Sequence, residues 1–130
     1  MRAVIQRVNR ASVNVAGQTT GSIERGLCLL IGITHDDTQD DLKYIVEKTL
    51  NMRIFPEESG NSGFDQSVQD IAGGILLVSQ FTLYASTRKG RRPGFTDAAR
   101  PEQAEPMFND LVESFKINSG LRVETGVFGA

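Results

Sequence analysis

With 130 residues, 39% of them hydrophobic and 23% charged, the chain has material for one globular domain with its own core and too little for two. No run approaches the ~20 apolar residues of a bilayer span, and Met1–Arg7 is too short and polar for the apolar region of a signal peptide, so a soluble, non-secreted protein with no membrane partner is expected. A net charge of −2 and a pI of about 5.4 argue against coating nucleic acid by bulk positive charge. One cysteine (Cys28) and one histidine (His35) cannot supply the four ligands of a structural zinc site or a disulfide, so neither metal nor disulfide is expected.

Alternation at Ala3, Ile5 and Arg7 against Val4, Gln6 and Val8 predicts a half-buried strand, followed by a second through Ala11, Val13 and Val15. Ala16-Gly17-Gln18 reads as a hairpin turn with Thr19–Ile23 returning antiparallel. Gly26–Ile33 is an almost unbroken apolar run, which predicts a central strand covered on both faces, with Cys28 as a small buried hydrophobe inside it. Thr38 suits an N-cap, Asp40 and Asp41 suit the first turn, and Leu42, Ile45, Val46 and Leu50 fall at helical spacing. Met52–Phe55 returns to a period of two, and Pro56–Gln66, rich in Gly, Ser, Asn and Glu, predicts an exposed loop.

Ile75–Tyr84 predicts a second apolar strand, and Lys89–Ala99 a basic surface loop. Pro101 suits the first position of a helix carrying Ala104, Met107, Phe108, Leu111, Val112 and Phe115, which Ser119-Gly120 stops. Leu121, Val123, Thr125 and Val127 predict a last strand before Phe128-Gly129-Ala130. The outline is α+β: many strands, two amphipathic helices, one core.

Ser79, Gln80 and Thr82 interrupt the otherwise apolar segment from Ile75. Either the strand emerges there and these groups are solvated or bonded to backbone, or they converge over an apolar floor as a site at a strand end. Thr82 as a nucleophile would need an activating base, and the motif holds no His or Lys. His35 reads more readily as a solvated loop residue than as a catalytic one. Arg88-Lys89-Gly90-Arg91-Arg92 gathers four of the fourteen basic residues, and Phe95 adds a ring beside them. That pattern is either a solvated loop or a surface where cations hold phosphates and an aromatic face stacks on a base.

Taken together, several segments resemble the D-aminoacyl-tRNA deacylase family over the whole chain: Met1–Val8, Gly26–Gly32, Asn51–Phe55, Ser67–Asp70, Ser79–Tyr84, Gly90–Phe95 and Gly126–Ala130. The resemblance implies a single β-barrel-like α+β domain that forms a homodimer, and a cytoplasmic hydrolase for chiral proofreading in translation. Such an enzyme cleaves the ester of D-aminoacyl-tRNA without a metal or organic cofactor. The partner it implies is the aminoacylated 3′ end of tRNA, not DNA, and hydrolysis is assisted by the terminal 2′-hydroxyl rather than by a protein nucleophile.

Carried over by position, Ser79, Gln80, Phe81 and Thr82 match the motif lining the aminoacyl pocket, with Thr82 positioning rather than attacking. Phe128, Gly129 and Ala130 match the stretch beside the terminal adenosine, and Arg7 is a further pocket residue. Arg91, Arg92 and Phe95 are expected on the RNA. Family members continue past Phe-Gly-Ala with a strand and a Gly-Pro-Val-Thr motif whose cis bond enters the partner's pocket and excludes L-amino acids. No Gly-Pro dipeptide occurs here. Two expectations follow: the sequence is an incomplete version of the natural protein, or the chain is short and its handedness selection compromised. The competing functional reading is a non-catalytic module that binds RNA ends, and the third is a structural oligomerisation domain.

Overall fold

The computed structural model describes residues 1–59 and 62–130. In chain order the strands are β1 (Arg2–Val8), β2 (Ala11–Val15), β3 (Gln18–Ile23), β4 (Gly26–Gly32), β5 (Gly74–Ser79) and β6 (Val123–Thr125). The helices are α1 (Gln39–Asn51) and α2 (Pro101–Ser119), with a single 3-10 turn at Phe81–Tyr84. β1, β4, β5 and β6 lie side by side in that order, while β2 and β3 form a separate two-stranded ribbon. β1 runs antiparallel to β4, from Arg2 opposite Gly32 to Val8 opposite Gly26. β4–β5 and β5–β6 are parallel pairs, and parallel neighbours need long crossovers, which α1 and α2 supply.

Both helices pack on one face of the four-stranded sheet. Leu27, Leu29 and Ile31 of β4 and Ile75 and Leu77 of β5 have no solvent exposure, and they meet Leu42, Val46 and Leu50 of α1 and Phe108, Leu111 and Phe115 of α2. These are the apolar positions whose 3.6-residue spacing predicts the two helices. The N-terminus of α1 is fixed by the Thr38 N–H donating to the Asp41 carboxylate at 2.8 Å. That backbone hydrogen bond holds the Asp41 carboxyl below its ordinary range. Gly120, at φ 65°, ends α2 in the left-handed conformation that glycine adopts without strain.

The other face of the sheet is covered unevenly. Gly21 brings β3 onto β5 and β6, since a Cβ there would lie 2.3 Å from the Thr125 carbonyl oxygen and 3.2 Å from Leu76. β5 is therefore buried on both sides. β4 is not, because Cys28 and Leu30, on the face away from the helices, are only half-buried. The ribbon stops short of them, which corrects the expectation that β4 is covered on both faces.

The strands do not close into a barrel. They form two separate sheets, with β1 and the three-residue β6 left as the edges of the larger one. Met52–Phe55 is not a strand: Met52 caps α1, and the segment contributes one bridge, Phe55 with Gln66. Of the following loop, Glu57, Glu58 and Ser59 are exposed, and Gly60 and Asn61 lie outside the described residues. In the last segment only Val123–Thr125 pairs, and Val127 is 54% exposed. The apolar run from Ile75 leaves the sheet after Ser79 and coils into the 3-10 turn. Among the described residues no helix is long and apolar enough to cross a membrane.

Candidate active site

β4 and β5 finish together. Ile31 pairs with Ser79, and the Gln80 N–H donates to the Ile31 carbonyl at 2.7 Å as the last rung between them. Beyond that rung the chains part, β4 toward α1 and β5 into the 3-10 turn. The turn can lie across the end of β4 because residue 32 is glycine: a Cβ there would sit 2.9 Å from Leu83 Cβ and 3.1 Å from the Tyr84 ring. Arg2 fastens the turn from the other side, donating to the Leu83 carbonyl at 2.7 Å with its guanidinium 4.4 Å from the Tyr84 ring centre.

A cavity of about 470 Å³ opens where the strands diverge, within the size range of small-molecule sites. Its floor is apolar, made by Ile33, Ala99 and Ala104. Ser79, Gln80 and Phe81 form one wall, Arg100 and Pro101 another, and Phe128-Gly129-Ala130 a third. Phe128 is braced by Phe108, ring centres 6.1 Å apart. At the mouth, Phe81 (56% exposed) and Phe95 (37%) meet edge to face at 5.1 Å. Two apolar rings standing in water at a cavity entrance suit a flat partner.

One charged side chain and one helix start border the cavity. Arg100 is the one ionisable side chain in the described lining, and the first turn of α2, whose amides carry the positive end of the helix dipole, forms part of the wall. Leu83 is the first residue of the 3-10 turn to donate within it, to the Gln80 carbonyl at 3.3 Å. The N–H groups of Phe81 and Thr82 precede that bond and have no place in the turn's own ladder.

Of the residues singled out by sequence, Ser79, Gln80, Phe81, Phe95, Phe128, Gly129 and Ala130 come together here. Thr82 stands just behind the wall, its hydroxyl accepting the Gln80 side-chain amide at 2.5 Å. Arg91 and Arg92 are exposed in the loop that the Ser86–Gly94 backbone pair closes (2.7 and 2.8 Å), outside the cavity lining. Arg7 is placed at the other end of β1, donating to the Ile54 carbonyl at 2.7 Å and lining a separate cleft with Arg25. His35 is exposed, with its Nε2 held at 2.7 Å by the Thr96 carbonyl, so that nitrogen carries the proton as donor.

Arg100 is the site residue that sequence reasoning missed. It occupies the N-cap of α2 and provides no side-chain cap. A cation where Ser, Thr, Asp or Asn is favoured, one residue before the helix-starting Pro101, was the available signal. Among the described residues no group of three or more His, Cys, Asp or Glu side chains is placed to hold a metal ion.

Residues 4–130 match the family model described as D-Tyr-tRNA(Tyr) deacylase. A D-aminoacyl-tRNA deacylase of Halalkalibacterium halodurans is 53% identical over 130 residues, covering 100% of this chain and 87% of the relative. One from Chloroherpeton thalassium is 52% identical, covering 100% and 84%. Among solved structures, one described as c-Myc DNA Unwinding Element Binding Protein superposes with a TM-score of 0.91 at 45% identity, over 100% of this chain and 87% of that one. A probable eukaryotic D-amino acid tRNA deacylase, 18% identical over 98% and 88% of the two chains, shares the fold with a TM-score of 0.83. On this sequence agreement, the chain belongs to the D-Tyr-tRNA(Tyr) deacylase family.

Proposed function

We propose that the protein hydrolyses the ester of D-aminoacyl-tRNA, releasing the free D-amino acid and tRNA, and so removes wrong-handed residues before translation uses them. The observation that carries this reading is the composition of the cavity: aromatic rings at its mouth, unladdered backbone N–H groups and an arginine in or beside its walls, and no Cys, His or Lys in its described lining. Such a site binds and orients. Backbone N–H groups of Phe81 and Thr82 offset charge on the carbonyl oxygen as water adds, and fixing the ester in one geometry supplies much of the acceleration. The terminal 2′-hydroxyl then relays the proton, accepting it from the attacking water as it passes its own to the departing 3′-oxygen, so no side chain is needed as base.

In this reading Ser79 and Gln80 hold the aminoacyl group, and Thr82 fixes the Gln80 amide through the 2.5 Å hydrogen bond. Phe128, Gly129 and Ala130 border the terminal adenosine. Phe95 stacks at the mouth, and Arg91 and Arg92 meet phosphates further along the RNA. The protein acts in the cytoplasm as a homodimer of single-domain subunits, and Arg7, far from the cavity of its own protomer, is assigned to the partner's site. No metal or organic cofactor is invoked.

The test is hydrolysis of D-tyrosyl-tRNA and L-tyrosyl-tRNA by the purified protein. Release of D-tyrosine is the expected result, with the L-ester spared by a chain extended through the Gly-Pro-Val-Thr segment. Tight tRNA binding with neither ester cleaved would replace the enzyme by an RNA-end binding module.

A further inference from the structure

Behind the wall that carries Phe81 lies a second cleft, of about 300 Å³, lined by Arg2, Ala85, Ser86, Thr87, Arg88 and Asp97. It shares its partition with the aminoacyl cavity. Phe81 faces the cavity from the start of the 3-10 turn while Leu83, two residues on, is gripped by Arg2. Ala98 lines the cavity and its neighbour Asp97 the cleft.

The cleft is built from donors. Arg2 is pre-set by the Leu83 carbonyl and the Tyr84 ring, which occupy one N–H and one face of its guanidinium, and among the described residues its other donors have no side-chain or carbonyl partner. Lining the cleft with it are Ser86, Thr87 and Arg88, on a segment held by the Ser86–Gly94 backbone pair. Two guanidiniums with two hydroxyls are the usual partners of phosphate oxygens, which position a nucleic acid without reading its sequence. One carboxylate, Asp97, faces the same space, and among the described residues neither Asp97 nor either arginine of the cleft is in an ion pair.

We infer that Arg2, Ser86, Thr87 and Arg88 form a phosphodiester subsite for the RNA strand leading into the aminoacyl cavity. This rests on the reading of the protein as one that acts on tRNA. The terminal nucleoside passes the Phe81–Phe95 mouth, and the preceding backbone crosses the 3-10 turn into the cleft. Arg88 makes a charge contact and Arg2 a fixed fork, while Asp97 weakens the site's hold on the strand.

The experiment is fluorescence anisotropy of end-labelled deacylated tRNA over a salt series, with D-tyrosyl-tRNA hydrolysis measured in parallel. Arg88 is exposed, so Arg88→Ala should fold normally. Its affinity should fall roughly threefold to tenfold, and the slope of log K against log salt should become shallower by about 0.7, the loss of one single-strand phosphate contact. Arg88→Lys should keep the slope, Asp97→Asn should tighten binding, and Arg10→Ala, at the far end of the sheet, should leave the slope alone.

An unchanged slope in Arg88→Ala, or an equal loss in Arg10→Ala, overturns the subsite in favour of a general field. If the slope responds as expected but no ester is cleaved, the cleft stands and the hydrolase reading fails. If the ester is cleaved and the slope does not respond, the reverse holds. Absence of tRNA binding by the unaltered protein overturns the subsite.

Discussion

The two ends of the β4–β5 pair are built on opposite principles. At the starting end Gly26 faces Gly74 so closely that a Cβ on Gly26 would lie 2.0 Å from the Gly74 carbonyl oxygen, and one on Gly74 would lie 2.9 Å from Ile23. Nothing larger than hydrogen fits, and that end is sealed by backbone. At the finishing end the same strands separate at Gly32 and Ser79, and the gap becomes the cavity walled by Ser79, Gln80 and Phe81. Sites outside the carboxyl ends of parallel strands are a general consequence of chains diverging there. Here the sealed end gives the open end something rigid to diverge from.

Substitution at each end should separate stability from chemistry. Gly26→Ala is expected to cost about 3 kcal/mol in a denaturant titration, since the new atom meets backbone that cannot turn aside. A neutral result would mean that the strands are not sealed there. Gly32→Ala should cost only about 1 kcal/mol, because the 3-10 turn can shift. The same shift misplaces Phe81 and Thr82, and kcat/KM on D-aminoacyl-tRNA should fall about 100-fold. Equal ratios of activity loss to stability loss at Gly26 and Gly32 would erase the contrast.

Within the open end, Thr82→Ala should lower kcat about tenfold without abolishing turnover, the effect of losing one positioning hydrogen bond. Complete loss in a folded protein would make Thr82 a reacting group. The smallest effect belongs to the sealed end, where the Ser67–Gly73 turn leads into β5. The Ser67 N–H, donating at 2.9 Å, holds the Asp70 carboxyl below its ordinary value of 3.8. A depressed folded pKa contributes stability that is present above that value and lost as pH falls through the folded one. Thermal midpoints measured downward from about pH 4 should therefore drop less for Asp70→Asn than for the unaltered protein, and parallel curves would show that this carboxylate does not matter to the turn.

Much of this fold is legible in side-chain periodicity. β1, the Ala16-Gly17 hairpin, β4 and both helices follow from it, because burial on one face imposes the spacing. What periodicity hides is any decision made by a distant residue. Phe81, Thr82, Leu83 and Tyr84 all suit a strand, and they coil because Gly32, about fifty positions earlier, leaves room for them. Parallel pairing of β4, β5 and β6 is equally silent, since a period of two carries no strand direction. The cavity wall from Ser79 to Phe81 could be suspected from polar residues in an apolar run. Phe128 joins it only through the resemblance, and Arg100 leaves one trace in the sequence, a cation just before the helix-starting Pro101, while its place against the floor comes from the fold.

The uneven cover of the sheet has a practical side. Cys28 is the chain's one cysteine, and it lies between Gln6 on the edge strand and Leu76 on the sealed one. Partial burial pushes its thiol pKa up, so little thiolate exists at neutral pH and alkylation of the folded protein should be slow. The thiol is thus a native reporter: a rise in its labelling rate records loss of the partial cover it now has, with no probe introduced and no residue changed.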